Sequence, residues 1–108
     1  MNGPYTLNTT NVTEKVGTNK IGYYTLHNSS KTVKYVGRSD HDLRGRLLDH
    51  VNQYYSYFSF EYTSSAKAAF EGECNLYHYH INNPLDNKVH PDRPSGTNWK
   101  CPRCSIFG

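Results

Sequence analysis

Residues 21–37 read IGYYTLHNSSKTVKYVG, and this stretch decides the predicted fold. Residues 21–27 and 32–37 are rich in aromatic and β-branched side chains, which favours two strands. The Asn-Ser-Ser segment between them is typical of a turn. The stretch therefore predicts a β-hairpin that brings two short tyrosine motifs together, Gly22-Tyr23-Tyr24 and Tyr35-Val36-Gly37.

Three further elements are predicted after the hairpin. Asp42 is a suitable N-cap for a helix that runs to about residue 54, because apolar side chains recur there on one helical face. Residues 57–62 alternate as in a strand, and two serines precede a second helix over about 66–79. The sequence thus predicts an α+β (α/β) domain of β-β-α-β-α order, with a small three-stranded antiparallel sheet flanked by helices.

The length of 108 residues corresponds to one domain. We divide it into a polar lead at 1–18, the predicted domain at 19–88 and an irregular tail at 89–108. A net charge of +3 suits nucleic acid without requiring it. There is no run of 18 apolar residues and no basic, apolar leader, so we expect neither a membrane span nor secretion. Three cysteines, an odd number, favour a reducing, cytoplasmic location.

The tyrosine motifs resemble the signature of the GIY-YIG nuclease family. Tyr23 replaces the usual aliphatic residue and Val36 the second isoleucine, whereas Tyr24 and Tyr35 are retained. The resemblance implies an endonuclease that uses Mg²⁺ or Mn²⁺ to hydrolyse DNA, in which Tyr24, assisted by Tyr35 or His50, orients or deprotonates water. A domain this small is expected to obtain its specificity from a homodimer, a partner protein or the shape of the DNA.

Arg46 and His50 are four residues apart on the first predicted helix, so they lie one turn from each other on the same side. The resemblance implies that an arginine of this helix contacts the scissile phosphate. Arg46 is the first candidate, and Arg44 and Arg38 are weaker alternatives. The same spacing is also typical of an ordinary solvated helix edge.

Helical geometry distinguishes two acids on the second helix. The position that completes its apolar stripe is Glu73, whereas Glu71 points to the opposite side. A carboxylate on an apolar face is costly unless it is paired or holds a metal. The resemblance implies that Glu73 binds the divalent ion, and pairing with an arginine for structural reasons is the alternative. The stripe consists of Ala66, Ala69, Phe70, Leu76 and Tyr77.

Asparagines follow the second helix. The segment Leu85-Asp86-Asn87 resembles the late asparagine of the family, which supports the active site. Asn82 and Asn83 are alternatives that the spacing leaves open. The resemblance therefore adds Asn87 to the candidate catalytic residues.

The tail contains a Cys-x-x-Cys pair, a spacing that holds half of a zinc site. A cysteine and a histidine one turn apart on the second helix can supply the other half. A closed four-ligand Zn²⁺ site would be structural, and a reduced pair without metal is the alternative. A zinc-stabilised module that binds nucleic acid without cutting it is the second functional hypothesis. The predicted ligands are Cys74, His78, Cys101 and Cys104, with His90 as a rival fourth ligand and His80 a less favourable one.

Overall fold

The computed structural model describes residues 1–81, 85–87, 91 and 96–102. All strands within this part of the chain pair antiparallel in one sheet of order β1-β4-β2-β3. The result is an α+β domain, in agreement with the predicted class. Its elements are β1 (Asn2–Thr6), α1 (Thr9–Lys15), β2 (Gly22–His27), β3 (Val33–Ser39), α2 (Leu43–Asp49), β4 (Tyr57–Tyr62) and α3 (Ala66–His80).

The prediction of three strands is wrong, because the N-terminal segment supplies a fourth. β1 lies within the predicted polar lead and pairs with β4, with Tyr5 opposite Phe58. Helix α1 follows, and its N-cap Asn8 accepts a hydrogen bond from the backbone N–H of Asn11. Few apolar residues signal these elements in the sequence. An edge strand and a two-turn helix need only isolated apolar side chains to pack on the core. In α1 the fully buried Val12 is such a side chain.

Helix α2 is shorter than predicted. Asp42 caps it as expected and accepts from the Gly45 N–H at 3.1 Å. The helix ends at Asp49, so only the first half of the predicted apolar stripe is helical. The chain then turns toward β4, which leaves Tyr54 78% exposed.

The sheet separates two layers of helices. Tyr24 and Leu26 of β2 pack with Leu43 and Leu47 of α2 in the main hydrophobic core. Strand alternation places Tyr23 on the opposite face, where its ring lies against Gly72 of α3. The two neighbouring tyrosines of the first motif therefore face different helices. No helix of the described residues is long and apolar enough to cross a membrane.

A buried histidine on the α3 side of the sheet is expected to make the fold sensitive to acid. His27 Nδ1 lies 3.0 Å from the carbonyl oxygen of Lys31, so this nitrogen donates. Its Nε2 faces the hydroxyl groups of Thr25 at 2.9 Å and Ser59 at 3.1 Å. Burial lowers the pKa of His27 from its ordinary value of 6.5. Below that pH the unfolded chain binds a proton that the folded protein resists, so the contribution of His27 to the free energy of unfolding falls as the pH decreases.

Urea unfolding between about pH 5 and about pH 8 measures this dependence. The raised pKa of the buried Glu73 contributes with the opposite sign in this range, so the measurement is the difference between two proteins. We expect the parent to lose more stability than His27→Gln as the pH falls. The exposed His41 provides the matched control, since His41→Gln is expected to leave the profile unchanged. Identical slopes for the parent and the His27→Gln protein would contradict the assignment.

Candidate active site

A cleft of about 730 Å³ opens beside β3, which is an edge strand and can be approached from both faces of the sheet. Its wall combines residues from β3, α2, α3 and the segment 85–87. Four of the six residues predicted for catalysis line it: Tyr35, Arg46, Glu73 and Asn87. The other two, Tyr24 and His50, contact each other outside this lining.

Tyr24 is fully buried. Its ring lies directly over Gly37, the glycine of the second tyrosine motif, and its hydroxyl group is 2.9 Å from His50 Nε2. Burial raises the pKa of Tyr24 far above its ordinary value, and the nearby Arg46 offsets only part of this. Tyr24 therefore packs against Gly37 and contacts His50, and it does not meet water in the cleft.

Tyr35 is the motif tyrosine that lines the cleft. It is half-buried, and its ring lies 5.2 Å from the His50 ring and 6.4 Å from the Tyr24 ring. Burial raises the pKa of its hydroxyl group, and the charge of Glu73 raises it further. Among the described residues no hydrogen-bond partner reaches this hydroxyl group.

Glu73 is buried, as the apolar stripe predicted, with 8% of its surface exposed. Its Oε1 accepts from Arg38 Nη1 at 2.7 Å, and Arg38 Nε donates to Asp40 Oδ1 at 3.0 Å. Burial raises the pKa of Glu73 to about 7, although the guanidinium of Arg38 acts in the opposite direction. The pairing with an arginine, which the sequence left as an alternative, is thus present.

Sequence reasoning missed Arg38 as the partner of Glu73, although strand alternation contains the signal. Tyr35 and Gly37 of β3 point to the α2 side, so Arg38 must point to the α3 side. There its guanidinium also lies 5.2 Å from the ring of Phe70. Arg38 is therefore engaged with α3 and with Asp40.

The two arginines of α2 have different surroundings. Arg44 donates to the carbonyl oxygens of Val16 at 2.6 Å and Thr13 at 2.9 Å, which fastens α2 to the end of α1. Arg46 is exposed, lines the cleft, and its charge acts on Tyr24, Tyr35 and Glu73. Of the three arginine candidates, Arg46 is the one with an exposed side chain at the cleft.

Asn87 is bound to the free edge of β3. Its Oδ1 accepts from the Val36 N–H at 2.9 Å and its Nδ2 donates to the Val36 carbonyl at 2.8 Å. The preceding Asp86 accepts from the hydroxyl groups of Tyr54 and Tyr55. Because both ends of the amide are used, Asn87 supports the strand beside Tyr35. The alternatives Asn82 and Asn83 lie outside the described residues.

Two of the four predicted zinc ligands lie together. Cys74 and Cys101 are buried with Phe70 and Trp99 in a small cluster at α3. Burial and the neighbouring Cys101 thiol raise the pKa of Cys74. Among the described residues no three His, Cys, Asp or Glu side chains are grouped so as to hold a metal, and His78 does not complete such a group. The predicted ligands Cys104 and His90 lie outside the described residues.

The cleft thus combines an exposed guanidinium, a tyrosine hydroxyl group and a largely buried carboxylate, from Arg46, Tyr35 and Glu73. A cation suits an anionic substrate, a hydroxyl group can orient water, and a carboxylate can hold a hard metal ion. Comparison with protein-family models, curated proteins and solved structures finds no match for this chain.

Proposed function

We propose that the cleft hydrolyses DNA phosphodiester bonds with the help of a divalent metal ion, as the resemblance to GIY-YIG nucleases implies. Such hydrolysis needs a cation for the nonbridging oxygens, an oriented water and help for the leaving oxygen. The observation that supports the proposal is that Arg46, Tyr35 and Glu73 share one cleft although they come from three separate elements.

In this proposal Arg46 binds the phosphate and Tyr35 orients the attacking water. A guanidinium donates several hydrogen bonds in a fixed fork that matches two phosphate oxygens. Tyr35 takes the part that the sequence assigned first to Tyr24, because Tyr24 is fully buried. Burial raises the pKa of both tyrosines, so each stays neutral near pH 7 and acts through its hydroxyl group.

Glu73 fits the role of the protein ligand for Mg²⁺ or Mn²⁺. Its Oε1 accepts from Arg38, and no donor from the described residues reaches Oε2. A carboxylate oxygen is a hard ligand, and Mg²⁺ is commonly bound by one or two carboxylates and several waters. When bound, the ion would act as a Lewis acid that neutralises charge on the phosphate. Arg38 would hold the carboxylate in one orientation.

The ion pair between Arg38 and Glu73 favours a second candidate function, a nucleic-acid-binding module that does not cut. A carboxylate that already has a cationic partner has less charge to offer a metal ion. In that case the ion pair only stabilises α3 against the sheet, and Arg46 contributes to binding alone. Both candidate functions assign the binding of nucleic acid to Arg46. They differ in whether Glu73 binds a metal ion or only pairs with Arg38.

Cleavage of supercoiled plasmid and of branched DNA in the presence of Mg²⁺ tests the proposal. We expect Arg46→Ala to reduce cleavage by about 100-fold or more, because it removes the charge that stabilises the phosphate. Arg44→Ala is the matched control on the same helix: it is expected to lower the unfolding temperature but to cleave normally when folded. Nicking that Arg46→Ala leaves unchanged would exclude this site. Binding without nicking of any substrate would favour the non-cutting module.

We further propose that zinc fastens the tail to α3 through Cys74 and Cys101. The two buried thiols supply half of a tetrahedral site, and Cys104 follows Cys101 at the spacing of a zinc knuckle. Elemental analysis of the purified protein decides the question. The expected result is one zinc ion per chain, lost in Cys101→Ser, and a metal-free parent protein would refute it.

A further inference from the structure

The ring of Tyr35 is held in the cleft by packing against other rings. Within the described residues its ring neighbours are His50 at 5.2 Å, Tyr55 at 6.1 Å and Tyr24 at 6.4 Å, measured between ring centroids. Since no hydrogen-bond partner from this part of the chain reaches the Tyr35 hydroxyl group, the outer end of the side chain is not fixed by a bond of its own. The direction of the hydroxyl group therefore depends on where these neighbouring rings lie.

Tyr55 is the neighbour that the sequence did not indicate, and it is anchored at its far end. Tyr24 belongs to β2 and His50 caps α2, whereas Tyr55 lies in the irregular connection between α2 and β4. Its side chain is buried, and its hydroxyl group donates to Asp86 Oδ2 at 2.9 Å. A hydrogen bond to a carboxylate is stronger than one between neutral groups. The position of the Tyr55 ring is therefore set from outside its own connection.

The segment that carries this carboxylate is bound to the strand of Tyr35 itself. The backbone N–H of Asp86 donates to the carbonyl oxygen of Lys34 at 2.6 Å. The side chain of Asn87 bonds to both backbone groups of Val36. Lys34 and Val36 precede and follow Tyr35 in β3. The same short segment therefore fixes the backbone on both sides of Tyr35 and, through the Asp86 carboxylate, a ring that packs against it.

Tyr54 makes the same hydrogen bond without the same packing. Its hydroxyl group donates to Asp86 Oδ2 at 2.8 Å, but its side chain is 78% exposed. Among the described ring pairs, Tyr54 is paired with Tyr55 at 4.8 Å and not with Tyr35. The carboxylate thus holds two neighbouring tyrosines, of which Tyr55 is the one in contact with the cleft tyrosine.

We propose that Tyr55 is a positioning residue for Tyr35: the bond from its hydroxyl group to Asp86 keeps its ring against the ring of Tyr35 and so keeps the Tyr35 hydroxyl group directed into the cleft. Tyr55 does not line the cleft, so it acts only through Tyr35. The inference rests on the proposed function only where it gives the Tyr35 hydroxyl group the task of orienting water.

The ring-proton NMR signals of Tyr35 in the full chain test the positioning, with the signals assigned from the Tyr35→Phe variant. We expect Tyr55→Phe, which keeps the ring but lacks the hydroxyl group, to shift these signals while thermal unfolding shows a folded protein. Tyr54→Phe is the matched control: it removes a hydrogen bond to the same oxygen and is expected to leave the Tyr35 signals unchanged. Asp86→Asn keeps an oxygen that can accept, so it is expected to preserve the parental signals.

Single-turnover cleavage and DNA affinity test the consequence for the reaction. We expect Tyr55→Phe to slow cleavage about tenfold at unchanged DNA affinity, because a misdirected hydroxyl group impairs the chemical step and not binding. In a Tyr35→Phe background the same substitution should cause no further loss. Unchanged Tyr35 signals in Tyr55→Phe, equal effects of Tyr54→Phe, or a full additional loss in the Tyr35→Phe background would overturn the inference. Shifted Tyr35 signals in a protein whose parent cleaves no DNA would support the positioning role and reject the nuclease.

Discussion

Replacing Glu73 with glutamine is expected to reduce DNA cleavage by about 1000-fold or more while the protein stays folded, since a catalytic metal ion supplies several kcal/mol. The amide has the shape of the carboxyl group, and its oxygen can still accept from Arg38. Arg38 also keeps Asp40, so its charge remains paired. Burying a neutral amide costs less than burying a carboxylate, which protects stability. In the proposed site, the variant lacks the negative oxygen that would bind the metal ion.

Single-turnover cleavage in Mg²⁺ and in Mn²⁺ measures this effect, with thermal unfolding as the check on folding. Glu71→Gln is the matched control, because Glu71 belongs to the same helix but does not line the cleft. It is expected to cleave like the parent. If Glu73→Gln retained parental cleavage, the metal assignment would be wrong. If the parent were inactive and Glu73→Gln bound DNA as tightly, the non-cutting module would be favoured.

Replacing Gly37 with alanine is expected to destabilise the protein by about 3 kcal/mol, at the upper end for overpacking a buried site. The added Cβ would lie 2.4 Å from both Cζ and the hydroxyl oxygen of Tyr24. The ring cannot easily move aside, because it is fully buried and its hydroxyl group is bonded to His50. Gly37 of the second motif is therefore required because the ring of Tyr24, from the first motif, occupies the space of a Cβ.

The free energy of unfolding in urea measures this loss, and Gly17→Ala is the matched control. A Cβ at position 17 would approach the flexible Lys20 side chain at 3.2 Å, which can move away. We expect this control to change stability by less than about 0.5 kcal/mol, as for most surface substitutions. Equal losses in the two variants would show that the contact with Tyr24 is not the cause.

Local patterns predicted a large part of this protein. The burial of Glu73 followed from its place in an apolar stripe, because helical periodicity reports which side of a helix is covered. The cap at Asp42 and the strand Tyr57–Tyr62 followed in the same way from neighbouring residues. The N-terminal strand and helix were not predicted, because few apolar residues form the sides of these elements that face the core.

Partners distant in the chain could not be predicted from such patterns. Arg38 and Glu73 are 35 residues apart, and their pairing depends on α3 packing on the face of β3 to which Arg38 points. Arg44 is bound to the end of α1 whereas Arg46 lies exposed at the cleft. This difference depends on α1, a helix that the sequence analysis did not predict.

The sequence by itself determined the class of fold, the tyrosine hairpin and the carboxylate that had to be buried, because each depends on the spacing of nearby residues. Only the tertiary structure decided that Tyr35 lines the cleft while Tyr24 is enclosed, and that Asn87 binds the edge of β3. The physical reason is that alternation assigns side chains to the two faces of a sheet. Helices from distant parts of the chain determine which face of the sheet is covered and how completely.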